Sequence, residues 1–147
     1  MFRNILVPTD GSALSRKAIK RAVQLAKEQK GRVTGYYVGP AWNPRLRDDS
    51  IAYRMPSPEE HAASVKKTAT RVLNVVRTEA AKAGVPCTTA YGTDDFPYMK
   101  IVEAANRNRC DLILMATHGR RGISRLLLGS ETSKVLAHSK VPVLVCR

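Results

Sequence analysis

Short apolar runs and helix-length amphipathic segments take turns along this chain from beginning to end. Ile5-Leu6-Val7 opens the series inside a strand expected over 2–8. The stretch from Ser12 to about Lys30 reads as a helix, because Leu14, Ala18, Ala22, Leu25 and Ala26 trace one face and Gly31 offers a stop. A second strand is expected over 32–38, followed by a proline-bearing loop over 39–57. Ser57-Pro58-Glu59-Glu60 then has the form of a capped helix start. Ala62, Val65, Ala69, Val72, Leu73, Val76, Ala80 and Ala83 recur behind it at steps of three and four, up to Gly84. The segment 85–91 carries Pro86 and two threonines, which suits a strand at a sheet edge. A short helix through Ile101, Val102 and Ala105 has Asp94 or Asp95 as its candidate cap. A strand over 111–116, a helix over 130–137 and a last strand over 141–146 finish the series.

Strict alternation of strand and helix predicts an α/β fold: right-handed crossovers and an open parallel sheet with helices on both faces, in a single domain. The runs at Ile5 and Leu112 are the most uniformly apolar, so they are expected at its centre. Ligands of such sheets sit beyond the carboxyl ends of the strands, where the strand order reverses. If these two strands are neighbours, Thr9-Asp10-Gly11 and the residues from Ala116 emerge together at that crevice. The last strand, with Val141, Val143, Leu144 and Val145, leaves an apolar edge with no later chain to shield it, and a homodimer through 141–146 is expected.

The segment Ala116–Ser130, A-T-H-G-R-R-G-I-S-R-L-L-L-G-S, lies between the most apolar strand and a helix. Its glycines and Ser130 can present backbone N–H groups and a hydroxyl to an anion at the helix N-terminus, so a phosphate-binding loop is expected. Ser130 also has the chemistry of a simple N-cap, and Asp10 can cap the first helix together with Ser12. The net charge of +13 favours anionic partners without naming one. Nucleic acid is not favoured, because the few aromatic residues show no recognition-motif spacing. Cys87, Cys110 and Cys146 are odd in number and lack metal-ligand spacing, so no disulfide framework or metal site is expected. No apolar run approaches the roughly 20 residues of a membrane span, and the opening residues lack a signal-peptide layout, so a cytoplasmic protein without a membrane partner is expected.

I-L-V-P-T-D-G-S at 5–12, D-L-I-L-M-A-T-H-G-R at 111–120, L-L-L-G-S at 126–130 and V-P-V-L-V at 141–145 together resemble the universal stress protein family over essentially the whole chain. The resemblance implies a Rossmann-like, adenine-nucleotide alpha hydrolase-like sheet of five parallel strands in the order 3-2-1-4-5. It also implies the ATP-binding branch, whose motif is glycine, two residues, glycine, nine residues, then glycine with serine or threonine. Gly119 matches the second glycine and Gly129-Ser130 the closing pair, with nine residues between, while Ala116 stands where the first glycine belongs. Carried over residue by residue, Asp10 meets the ribose and adenine end, flanked by Pro8 and Thr9. The backbone of Val38 reads the adenine edge, and Met115 packs under the nucleotide. His118, Gly119 and Arg120 belong to the loop, and Gly129, Ser130 and the backbone of Glu131 and Thr132 form the phosphate cradle. The implied ligand is ATP, with Mg²⁺ carried in by the phosphates, and the implied role is regulatory. No P-loop lysine is present and no catalytic residue is assigned, so hydrolysis, if any, is expected to be slow. The alternatives are a slow ATPase with Asp10 positioning metal or water, and a dimeric module whose basic surface meets nucleic acid or an acidic protein.

Overall fold

The computed structural model describes residues 1–43, 55–118 and 128–147. Its elements follow the chain as β1 (Asn4–Pro8), α1 (Ala13–Glu28), β2 (Arg32–Gly39), α2 (Pro58–Ala83), β3 (Cys87–Thr93), α3 (Pro97–Arg107), β4 (Leu112–Ala116), α4 (Ser130–His138) and β5 (Val143–Cys146). The sheet order is β3-β2-β1-β4-β5, and every pairing is parallel. β1 therefore holds the centre with β4 beside it, as their apolar sequences require. β3 and β5 are the edges.

Side chains of successive strand residues point to opposite faces, and the two cores divide accordingly. Ile5, Val7, Leu112 and Leu114 pack with Ala18, Ile19 and Ala22 of α1 and with Ala69, Leu73 and Val76 of α2. Leu6, Ile113 and Met115 pack with Ile101, Ala104 and Ala105 of α3 and with Val135 of α4. The stripe of small residues on α1 lets that helix lie close to the strands.

The helix ends show where local chemistry prevailed and where it did not. α2 begins with a complete capping box between Ser57 and Glu60 and stops at Gly84, which takes the left-handed conformation at φ 69°. α1 was expected to stop on Gly31, but Lys30 takes the left-handed turn at φ 52°. The Gly31 N–H then reaches back to the Ala26 carbonyl at 2.8 Å. Gly31 serves close approach instead: a Cβ there would lie 2.8 Å from the Arg3 carbonyl oxygen. α3 departs further, since its cap position is Phe96 and no side chain of its own segment caps it. Asp94 bonds the Phe96 N–H at 2.8 Å, while the Glu131 carboxylate of α4 accepts from the Tyr98 N–H at 2.9 Å. A helix end capped from a distant helix is invisible to local sequence patterns.

The ends of the strands opposite the crevice are tied by a polar chain. Asp111 accepts from the Arg3 and Asn4 N–H groups at 2.7 and 3.0 Å. The Asn4 side chain donates to the Asn108 carbonyl at 2.8 Å and accepts from the Thr34 hydroxyl at 2.9 Å. Asp111→Ala strips the start of β1 of both carboxylate partners. The expected loss is about 2 kcal/mol of unfolding free energy in urea titration, with an unchanged denaturant slope.

Candidate functional site

At the carboxyl ends of β1 and β4 the chain turns away in opposite directions, β1 into α1 and β4 towards α4. β1 stays paired with β2 as far as Pro8 with Tyr36, and Asp10 follows two residues later in the turn that leaves the sheet. β1 pairs with β4 at Ile5 with Leu112 and Leu6 with Ile113, so the two strands run on side by side towards this end. Pro8, Thr9, Asp10, Val38, Met115, Ala116 and His118 thus gather at one end of the sheet. Gly119 and Arg120, with Arg121 and Arg125, lie outside the described residues.

Strand alternation fixes what Val38 offers. The Thr9 N–H bonds the Tyr36 carbonyl at 2.9 Å, so Tyr36 directs its backbone groups to β1. Val38, two residues on, directs its N–H and carbonyl the same way, past Pro8, the last paired residue of β1. A strand-end donor and acceptor beside β1, one strand from the reversal point between β1 and β4, suit the hydrogen-bonding edge of a planar heterocycle.

The turn after β1 is held by its own side chains. The Asp10 carboxylate accepts from the Ser12 N–H at 2.9 Å, and the Ser12 hydroxyl accepts from the Ser15 N–H at 3.1 Å. Ser12 is therefore the cap of α1, and Asp10 braces the turn before it. Buried Thr9 donates to the Ser15 hydroxyl at 3.1 Å, clamping strand to helix.

On the other side, α4 is fastened to the end of β4 by two residues. The Gly129 N–H bonds the Thr117 carbonyl at 2.8 Å, and the Thr132 hydroxyl reaches the Ala116 and Thr117 carbonyls at 3.0 and 3.2 Å. Thr117, which no motif singled out, is the anchor of this junction; its place at the end of the buried apolar run was the available signal. The cap of α4 is Gly129, without a side-chain hydrogen bond, so Ser130 is the first helical residue and its N-cap reading is corrected. The first intrahelical bond runs from the Ser133 N–H to the Gly129 carbonyl at 2.9 Å. The N–H groups of Ser130, Glu131 and Thr132 consequently have no carbonyl of their own helix to meet, and they stand at its positive end.

Glu131 looks unfavourable beside an anion when read from the sequence. Its carboxylate is instead committed to the Tyr98 N–H and, at 3.2 Å, to Lys134. Lys134 lies 5.6 Å from the centre of the Tyr98 ring, and that ring is 4.9 Å from the His138 ring. The Glu131 carboxylate is thus turned to the α3 terminus and to Lys134 of its own helix, while its backbone N–H stays at the α4 terminus.

Ala116 is the last residue of β4 and is not among the positive-φ residues. Its methyl group is buried in the α1 core, on the face of the sheet opposite α4. Nothing at this position calls for glycine. Ala116→Gly is therefore expected to leave nucleotide affinity unaltered while lowering stability by about 1 kcal/mol, read by calorimetric titration and thermal unfolding.

The Universal stress protein family model matches residues 1–147. The chain belongs to that family. The universal stress protein YxiE of Bacillus subtilis is 33% identical over 151 residues, with all of both chains covered. Universal stress protein MJ0531 of Methanocaldococcus jannaschii is also 33% identical, covering all of this chain and 83% of its relative. Among solved structures, that of hypothetical protein MJ0577 superposes with a TM-score of 0.80 at 25% identity, covering 99% of this chain and 95% of the other. A universal stress protein in complex with cAMP has a TM-score of 0.72 at 24% identity, covering 99% and 97% of the two chains. A family member from Arabidopsis thaliana with AMP bound has a TM-score of 0.67 at 16% identity, covering 97% and 90%. The strand order inferred for the family is the order observed here.

Proposed function

We propose that this universal stress protein is an ATP-binding regulatory module of the cytoplasm, a homodimer through β5 with little or no intrinsic hydrolysis. The observation that carries the reading is the start of α4, where the N-cap is Gly129 without a side-chain hydrogen bond and the first N–H groups meet no partner among the described residues. In support, the N–H groups of Ser130, Glu131 and Thr132 open the helix that follows β4, and β4 lies beside β1, whose following turn carries Asp10. Such a terminus suits phosphate oxygens, the Val38 backbone suits adenine, and the braced Asp10 carboxylate suits ribose hydroxyls. The residues present therefore fit an adenine nucleotide, and the relatives that hold cAMP and AMP support the same ligand class. Mg²⁺ enters on the phosphates in this reading. The three cysteines are free, which fits a reducing compartment.

Mass spectrometry of whatever leaves the freshly purified protein on denaturation tests the ligand, followed by calorimetric titration with ATP, ADP and AMP in the presence and absence of Mg²⁺. Recovery of adenine nucleotide, saturable ATP binding and negligible phosphate release are expected. Absence of bound nucleotide together with no heat of ATP binding overturns the reading. Steady phosphate release that is lost in Asp10→Asn transfers the protein to the ATPases.

A further inference from the structure

β3 is an edge strand, paired among the described residues with β2 alone. The Val33 N–H bonds the Pro86 carbonyl, and the Asp94 N–H bonds the Gly39 carbonyl. Even-numbered residues of this segment thus face β2, and Cys87, Thr89, Tyr91 and Thr93 turn their N–H and carbonyl groups outward. Beside this edge, α2 and β3 enclose a groove of about 400 Å³ lined by Lys66, Thr70, Leu73, Arg77, Thr89 and Tyr91. The four α2 residues form one helical stripe along the groove. Arg77 donates to the Thr89 hydroxyl, and neither Lys66 nor Arg77 meets a carboxylate among the described residues. Tyr91 is 43% exposed.

We infer that this groove and edge form a docking site for an extended acidic peptide, added to the sheet as a strand beside β3 and read by the α2 basic stripe. A strand laid there meets alternating donors and acceptors on the odd-numbered residues of β3. Side chains on its α2 face, every second residue, come under Lys66 and Arg77, and carboxylates answer both. The chemistry of the groove selects against the other occupants. A second copy paired through β3 brings its own Lys66 and Arg77 to the groove and no carboxylate for the first pair. A DNA strand supplies phosphate acceptors but no backbone donors for the outward carbonyls, and stacking is limited to Tyr91.

Fluorescence anisotropy tests the site with a labelled peptide of about six residues alternating glutamate and valine, its glutamine counterpart, and oligothymidylate of equal charge. Saturable binding of the acidic peptide is expected, with a loss of at least about fivefold on changing glutamate to glutamine. Lys66→Glu combined with Arg77→Glu is expected to weaken binding at least about tenfold and leave ATP titration unchanged, since both residues lie on α2 away from the α4 terminus. Tyr91→Pro removes one outward N–H and spares the bonds to β2, so it is expected to weaken the peptide as well. If that variant misfolds, the charge-reversed pair decides. No binding of the acidic peptide at millimolar concentration overturns the proposal, as does binding indifferent to charge reversal. Tighter binding of oligothymidylate than of the peptide assigns the groove to nucleic acid and overturns it equally.

Discussion

Gly129→Val is expected to weaken ATP binding at least about a hundredfold, or some 2.7 kcal/mol, in calorimetric titration. The sequence alone suggests that valine acts through its bulk at the phosphate cradle. The structure moves the cause one bond closer to the backbone. An added Cβ at position 129 would lie 2.7 Å from the Thr117 carbonyl oxygen and 3.4 Å from the His118 Cα. That carbonyl accepts the Gly129 N–H and the Thr132 hydroxyl, so it cannot retreat without loosening the α4 junction. The backbone of Gly129 is at φ −59° and ψ 148°, which any residue adopts, so the obstacle is contact and not dihedral strain. Gly129→Ala is consequently expected to lose most of the affinity as well. Far-UV circular dichroism should stay unchanged, with melting lowered by a few degrees for a cost of about 1–3 kcal/mol. Retention of wild-type affinity in Gly129→Ala would remove the α4 terminus from the nucleotide site.

Val145→Pro is expected to convert the proposed dimer to a monomer, raising its dissociation constant at least about a hundredfold. β5 is the other edge of the sheet. The Ile113 N–H bonds the Pro142 carbonyl and the Thr117 N–H bonds the Cys146 carbonyl, so even-numbered residues of β5 face β4. Val143 and Val145 therefore turn their N–H groups to the open side. Proline at 145 deletes one of these donors and places a ring where a partner strand would lie, while the ladder to β4 is kept. Leu144, 44% exposed, supplies apolar surface to the same interface. Light scattering coupled to gel filtration reads the outcome. A wild-type protein that is already monomeric across the micromolar range, or a dimer that survives in Val145→Pro, rules out assembly through this strand.

Much of the site could be read from residue types. The strand-end position of Asp10 and the pairing of the two most apolar strands follow from composition and order, while the spacing from Gly119 to Gly129-Ser130 has its meaning only through the family resemblance. Three features could not be read this way. The commitment of Glu131 to α3 depends on a helix whose nearest capping candidates lie in its own segment. The role of Thr117 depends on a main-chain carbonyl, which has no signature in the side-chain alphabet. The tolerance of Ala116 depends on which face of the sheet its methyl group occupies.

The sequence by itself determined the alternation of elements, the faces they bury and the strands at the centre. Those properties come from apolar periodicity, a one-dimensional record of which side of each segment leaves water. Tertiary structure alone decided which backbone groups lack a partner among the described residues: the N–H groups opening α4, the outward face of Val38 and the outer edges of β3 and β5. Every residue but proline carries the same donor and acceptor, so only the placement of neighbouring chain separates those satisfied internally from those left for a ligand or partner.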